Sequence, residues 1–129
     1  MKRVYTQPET IRFISRMAFF ILLAAAMFLS LADPGKTPGL DLTWDKLNHA
    51  FGYFALVGFL DLGFRTGRSI FPKSILVFSY SLFLECAQYF IPYREFSLFD
   101  LAANAVGIAS FLILRFQLER ISIYCSLRE

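Results

Sequence analysis

The sequence has few of the residues that build disulfide or zinc scaffolds. Its 129 residues include two cysteines and one histidine. Closely spaced cysteines and a His-x-x-x-His pattern, the usual signatures of a zinc site, are both missing. Cys86 falls within an apolar stretch and Cys125 in the C-terminal tail, on opposite sides of the expected bilayer. A disulfide between them within one chain is therefore excluded.

Charged residues are also scarce, and this scarcity points to a membrane protein. They make up 18% of the chain, against 57% hydrophobic residues, and the mean hydropathy is +0.53. Soluble domains of this size rarely have such a composition. Four apolar stretches are each close to the ~20 residues that cross a ~30 Å hydrocarbon core as a helix. The sequence predicts an all-α, four-helix transmembrane bundle with helices at about 13–32, 44–64, 74–91 and 98–116.

The distribution of Lys and Arg predicts the orientation of this bundle. These residues are more frequent before the first span, between the second and third, and after the fourth than in the other two connections. Because Lys and Arg are retained in the cytoplasm, both termini are expected inside. The net charge of +3 then reflects membrane orientation and not nucleic-acid binding. As an alternative, residues 12–32 resemble a cleavable signal peptide, which would leave residue 33 outside as well.

The polar residues of the spans collect at one predicted depth. Spans two and four begin, and span three ends, on the same side of the bilayer, because successive helices run in opposite directions. Ionisable residues at membrane depth are costly and usually functional. We call this set the polar cluster, and we expect it to face the periplasm or cell exterior: Asp45, Lys46, His49, Glu85, Gln88, Arg94, Asp100 and Asn104.

Span two carries the clearest chemical pattern of the polar cluster. Asp45, His49 and Tyr53 follow i, i+4, i+8 spacing and share one helical face. Asp45 can accept a hydrogen bond from the His49 ring and orient it, which suits a general base, a proton relay or a metal ligand. Alternatively, Asp45 belongs to an interfacial helix start, with Thr43 as the cap and Trp44 as the membrane anchor.

Span three and the loop after it contribute three polar residues with open interpretations. A carboxylate at the depth of Glu85 must be paired, protonated or facing a wet cavity. Its alternative role, which is the favoured one for Gln88, is a hydrogen bond to a neighbouring helix. Arg94 can bind an anion such as phosphate with its planar fork, or pair with Glu95 or Glu85.

Span four begins with Ser97-Leu98-Phe99-Asp100, which has the spacing of a capping box and gives Asp100 a structural explanation. Asn104 lies one turn deeper, and Gly107 on the same face would allow another helix to approach closely. At the opposite end, Asp61 and Arg65 have the spacing of a helical ion pair, so Asp61 is interpreted as structural.

In combination, Asp45-Lys46-x-x-His49-x-x-x-Tyr53, Glu85-x-x-Gln88, Arg94 and Asp100-x-x-x-Asn104-x-x-Gly107 resemble the VanZ-like family. The resemblance covers about residues 41–114 of a single domain that we assign to residues 1–129, and the first helix matches only in type. It implies a small, multi-pass protein of the bacterial inner membrane with a role at the cell envelope. The family is named for a member that confers low-level teicoplanin resistance, but the resemblance supplies no reaction.

Three functions are compatible with these residues. The first is an enzyme or binding protein for a lipid-linked or amphiphilic envelope component, with membrane lipid around it and no nucleic acid. There His49 and Asp45 would form an acid–base pair and Glu85 a second carboxylate. The candidate binding residues are Lys46, Tyr53, Gln88, Arg94, Asp100 and Asn104. The second is a non-catalytic scaffold. The third, a transporter or proton channel, is disfavoured because the cytoplasmic half offers only Asp61. A metal at Asp45, His49, Glu85 and Asp100 is disfavoured because no His-x-x-x-His pattern or cysteine pair accompanies it, and we predict no cofactor.

Overall fold

The computed structural model describes residues 9–33, 35–36, 45–64 and 69–120, and these residues form four helices and no strand. The all-α prediction is therefore confirmed for the described residues. The predictions that concern Thr43, Trp44, Arg65 and Cys125 lie outside them. The four helices are α1 (Glu9–Leu31), α2 (Asp45–Gly63), α3 (Phe71–Tyr89) and α4 (Leu98–Leu118).

Local sequence explains where α3 and α4 begin. Helix α3 begins at Phe71 instead of near Ser74, with Pro72 in its first turn, where the missing N–H of proline costs nothing. Helix α4 begins at Leu98 because Ser97 has an extended backbone and its side chain accepts a hydrogen bond from the Asp100 N–H. Pro72 and Ser97 thus set the starts of these two helices.

The four helices run alternately up and down. The starts of α2 and α4 meet through Lys46 and Asp100, and the ends of α1 and α3 meet through a Gln88–Ser30 hydrogen bond. We call this the cluster end of the bundle. At the opposite end, Lys73 near the start of α3 contacts Asp61 near the end of α2. An apolar core separates the two polar ends and consists of Phe19, Tyr53, Leu56, Val57, Leu60, Ile70, Val77, Ile108 and Phe111.

Helices α2 and α4 pack with their backbones almost in contact. A Cβ atom added at Gly107 would lie 2.1 Å from the carbonyl oxygen of Ala50. No side chain fits into this space, so the predicted close approach at Gly107 is confirmed. The approach fixes the relative height of the two helices that supply most of the polar cluster.

The exterior of the bundle is apolar, as expected for a protein in lipid. Among the described residues, two helices, α1 and α4, are long and apolar enough to cross a membrane. That α2 and α3 also cross, with both termini inside, stays a prediction. Exposed apolar side chains occur on all four helices, for example Ile21, Phe51, Phe83 and Ile113, whereas buried polar residues include Ser81, Glu85, Asn104 and Asp61. Large exposed apolar surfaces of this kind mark contact with a membrane or a partner.

Candidate functional site

Four residues from the starts of α2 and α4 form the accessible part of the polar cluster. The Lys46 ammonium contacts the Asp100 carboxylate and lies 3.7 Å from Asp45 Oδ2. His49 Nε2 lies 3.4 Å from Asp45 Oδ1 and 4.0 Å from Asp100 Oδ2. We call these four residues the carboxylate site. Their side chains are between 13% (Asp100) and 55% (Lys46) exposed, so a ligand can reach them from outside the bundle.

The His49 ring is oriented by a buried hydrogen-bond chain. His49 Nδ1 lies 2.8 Å from Asn104 Oδ1, and Asn104 Nδ2 donates to Ser81 Oγ at 2.6 Å. Because an amide oxygen can only accept, Nδ1 is the donor in this hydrogen bond. Nε2 therefore points towards Asp45 and Asp100. Asn104, and not Asp45 as the spacing suggested, makes the short hydrogen bond that orients the ring.

Tyr53 extends this hydrogen-bond chain deeper into the bundle, through Ser81. Tyr53 is 5% exposed, and its hydroxyl lies beside Ser81. Ser81 was not among the predicted site residues, although a signal for it is present in the sequence. Ser81, Glu85 and Gln88 follow i, i+4, i+7 spacing and so form one polar face on α3.

Glu85 belongs to α3, and its side chain lies beside the start of α4 and not within the carboxylate site. Its side chain is buried at 2% exposure, and Oε2 accepts a hydrogen bond from the Ser97 N–H at 3.2 Å. Ser97 Oγ in turn accepts one from the Asp100 N–H at 3.2 Å. One of the two capping-box bonds is thus present as predicted. Glu85 supplies the other, which leaves the Asp100 carboxylate available to Lys46 and His49.

Arg94 binds the C-terminal end of α1. Its Nε donates to the Ala32 carbonyl at 3.0 Å and its Nη2 to the Leu29 carbonyl at 2.6 Å. The ion pairs considered for it, with Glu95 or Glu85, do not form within the described part of the chain. The last carbonyl groups of a helix have no intrahelical donors, and this end of the helix carries a partial negative charge. A guanidinium group donates hydrogen bonds to the carbonyl groups and offsets the charge.

Two neighbours of Arg94 bind the same end of α1. Gln88 Nε2 donates to the Ser30 carbonyl at 2.9 Å, so the interhelical hydrogen bond predicted for Gln88 is confirmed. The Tyr93 hydroxyl donates to the Leu31 carbonyl at 2.9 Å. Tyr93 was not singled out in the sequence, because a backbone acceptor on another helix leaves no pattern in the side chains.

A second charged group lies at the opposite end of the bundle. The Asp61 carboxylate is fully buried, with Lys73 Nζ at 2.9 Å and Arg115 Nε at 3.4 Å. These contacts support the structural interpretation of Asp61. Its predicted partner Arg65 lies outside the described residues, whereas Lys73 and Arg115 were expected only to mark the cytoplasmic side.

The carboxylate site combines groups that transfer protons with groups that hold ions. An imidazole beside carboxylates is suited to general acid–base chemistry, and an ammonium group can bind an anion. Ligand atoms of Asp45, His49 and Asp100 all lie within 4.8 Å of one another, as a metal ion would require. Glu85, the fourth residue of the metal set considered from the sequence, is not part of this group.

Comparison with known proteins agrees with the pattern of residues at the cluster end. A family model described as VanZ/LLP1 matches residues 5–118, a range that includes all four helices and every residue of the polar cluster. No curated protein and no solved structure matches the chain. The family and the two apolar helices indicate a membrane protein. Because the family model covers most of the sequence, this chain belongs to the VanZ/LLP1 family.

Proposed function

We propose that this protein binds and acts on an amphiphilic or lipid-linked component of the bacterial cell envelope, at the outer face of the inner membrane. The observation that carries the proposal is the His49 ring, which is 19% exposed and which two buried side chains hold in a fixed orientation beside two carboxylates. A histidine needed only for packing would not require this support. Fixed, accessible imidazole groups are typical of acid–base catalysis.

The contacts suggest a role for each residue of the polar cluster. His49 would transfer a proton, and Asp45 and Asp100 would stabilise its charged form. The Lys46 ammonium would leave Asp100 and contact an anionic group of the ligand. Glu85, considered from the sequence as a second catalytic carboxylate, would instead position Asp100 through its bond to the Ser97 N–H.

The surroundings of the carboxylate site favour an amphiphile over a small soluble molecule. Next to the site along α2, Leu47 and Phe51 are 46% and 65% exposed. On α4, Leu98 and Phe99 are 69% and 78% exposed. An acyl or prenyl chain can pack against such side chains while its polar headgroup reaches His49.

The proposal is tested by substituting the imidazole without removing its hydrogen-bonding capacity. A bacterial host that produces the wild-type chain should become less susceptible to teicoplanin, and His49→Gln should abolish this change at an equal level in the membrane. Glu95→Gln is the matched control, because Glu95 is exposed in the same loop region and outside the carboxylate site. Glu85→Gln, which keeps an acceptor for Ser97, should retain the phenotype.

A second experiment asks for the ligand directly. Lipids that co-purify with the wild-type chain and with His49→Gln, Asp100→Asn and Glu95→Gln should be compared by mass spectrometry. We expect one amphiphile to be enriched with the wild type and Glu95→Gln and depleted with the other two variants. Equal lipid profiles together with an unchanged phenotype for His49→Gln would refute the proposed function.

A non-catalytic scaffold is the alternative, and the contacts of Glu85, Gln88 and Arg94 favour it for those residues. All three bind backbone groups of neighbouring helices. If the whole polar cluster served this purpose, His49→Gln would lower activity and thermal stability together. If His49 acts as proposed, His49→Gln should lose activity and retain the thermal midpoint of unfolding in detergent.

A further inference from the structure

We propose that Asp45, His49 and Asp100 form a binding site for a divalent metal cation. The inference deepens the proposed function and rests on it for the use of the metal. The binding itself is measurable without any assay of that function. Two features of the carboxylate site support it: the spacing of the three ligand atoms and the orientation of the His49 ring.

The spacing of the ligand atoms fits one small cation. His49 Nε2 lies 3.4 Å from the nearer Asp45 oxygen and 4.0 Å from the nearer Asp100 oxygen. Nitrogen and oxygen ligands at about 2.1 Å from a tetrahedral zinc ion lie about 3.4 Å from one another. Small side-chain rotations therefore suffice to bring all three atoms to one metal. The two helices that carry them are fixed relative to each other by the Gly107–Ala50 contact.

The orientation of His49 is the second feature. Its Nδ1 hydrogen is directed to Asn104, which is 1% exposed and anchored on Ser81. Nε2 therefore faces the two carboxylates and is the ring nitrogen that a metal would bind. Metal-bound histidines usually donate their other N–H to a protein group in this way.

The Lys46 ammonium shows that a cation is favourable at this position. It contacts Asp100 and lies 3.7 Å from Asp45, so it offsets one of the two carboxylate charges. A divalent cation would neutralise both, and the Lys46 side chain, which is 55% exposed, can turn away to solvent. One imidazole and two carboxylates favour Zn²⁺ or Mn²⁺ over Ca²⁺ and Mg²⁺.

Three protein ligands leave coordination positions open to water or to a ligand oxygen. That is the arrangement of catalytic zinc sites, whereas structural zinc sites are closed by four protein ligands. A metal here would polarise a bound carbonyl or phosphoryl oxygen, or lower the pKa of a bound water. Lys46, displaced from Asp100, would remain close enough to contact an anionic group on the same ligand.

The test is calorimetric titration of the purified, chelator-treated full-length chain in detergent with Zn²⁺ and, separately, with Mn²⁺. We expect one ion per chain. His49→Gln, Asp45→Asn and Asp100→Asn should each weaken binding at least tenfold, and Glu95→Gln should not change it. Asn104→Leu should weaken binding about 10–100-fold, the usual effect of removing a group that orients a metal ligand. The carboxylate of Asn104→Asp should preserve binding.

Lys46→Gln gives the sharpest readout, because this exposed side chain competes with the metal and its loss should not affect folding. The variant should bind Zn²⁺ more tightly than the wild type. Weaker binding by Lys46→Gln, or wild-type affinity in both His49→Gln and Asp45→Asn, would overturn the metal site. Thermal midpoints without metal verify that each variant is folded. Metal binding by a chain without any envelope phenotype would refute the proposed function and leave the metal site standing.

Discussion

At the scale of single residues, burial and partners separate polar side chains that the sequence groups together. Asp100 and Glu85 are both carboxylates at the cluster end of the bundle. Asp100 lies in the accessible carboxylate site with Lys46 and His49, whereas Glu85 is buried and accepts a backbone N–H. A substitution of Asp100 should therefore affect the chemistry of the carboxylate site, whereas a substitution of Glu85 should affect the start of α4.

Two glycines provide a direct test of the contact between α2 and α4. A methyl group at Gly107 would overlap the Ala50 carbonyl, whereas one at Gly52 would meet nothing within 4 Å. Gly107→Ala should destabilise the protein by about 1–3 kcal/mol or more, because the helices must move apart. Gly52→Ala should be neutral or stabilising by up to about 1 kcal/mol, since alanine favours helix. Thermal unfolding in detergent measures both, and equal midpoints would contradict the described packing.

Asp61 is expected to be the most sensitive residue at the opposite end of the bundle. Asp61→Asn would leave Lys73 and Arg115 buried without their shared carboxylate. Breaking a buried ion pair from one side costs about 3–5 kcal/mol. The combined variant Asp61→Leu, Lys73→Met, Arg115→Met should recover most of this loss, because no charge is left buried. A triple variant less stable than Asp61→Asn would show that the charges have a role beyond balancing one another.

Residue spacing placed the polar cluster at one end of the bundle but did not predict its pairing. The i, i+4 patterns correctly place Asp45 with His49 and Asp100 with Asn104 on shared faces. The partners across helices depend on how α2 and α4 are rotated and shifted, which the Gly107–Ala50 contact determines. Backbone acceptors such as the carbonyls that Arg94 binds have no signature in the sequence. For this reason its anchoring role was not foreseen.

At the scale of whole elements, most of the hydrogen bonds that side chains of other elements donate to α1 lie at its C-terminal end. Arg94, Gln88 and Tyr93 from α3 and the loop after it all donate to carbonyls of residues 29–32. Farther along the helix, the Tyr80 hydroxyl donates to the Leu23 carbonyl at 2.7 Å. At the other end, Arg16 Nε donates to the Gly63 carbonyl of α2 at 2.8 Å. These bonds fix the height of α1 in the bundle.

Arg94 should be the residue whose loss most loosens the end of α1. Arg94→Ala removes two hydrogen bonds from a charged donor and should cost about 1.5–3 kcal/mol. Arg94→Lys should restore only part of this, because an ammonium lacks the planar fork that reaches two carbonyls. Hydrogen–deuterium exchange should increase in residues 29–33 and remain unchanged in α4. Unchanged protection around Leu29 in Arg94→Ala would refute the anchoring role, and Glu95→Gln is the control.

At the scale of the whole molecule, the bundle buries several polar residues beside its apolar core and exposes many large apolar side chains. The helical fold, the approximate helix ends and the apolar surface follow from composition and from the lengths of the apolar stretches. Composition predicts the number of membrane spans less directly. Among the described residues, only α1 and α4 are long and apolar enough to cross a membrane. Residues such as Asp61, Lys73, Glu85 and Gln88 lower the hydropathy of α2 and α3 but are buried, so they need not face lipid.

The predicted topology is tested with single cysteines at the two ends of α4. In a variant without Cys86 and Cys125, Glu95→Cys should react with a membrane-impermeant thiol reagent in intact cells. Arg120→Cys should react only after the membrane is opened, because the C-terminus is expected in the cytoplasm. Both residues are exposed, so a difference reflects the membrane and not burial. Labelling of Arg120→Cys in intact cells would reverse the orientation and place the carboxylate site on the inside.

The hydrogen bonds that hold α1 have a consequence for how freely its sequence can vary. Arg94, Gln88, Tyr93 and Tyr80 all recognise oxygen atoms of the α1 main chain. Every residue type offers the same oxygen, so these bonds specify where α1 ends and leave its composition open. The side chains at this end of α1 can thus change without loss of these hydrogen bonds, whereas Arg16 and Phe19 contact α2 and the apolar core through their own side chains.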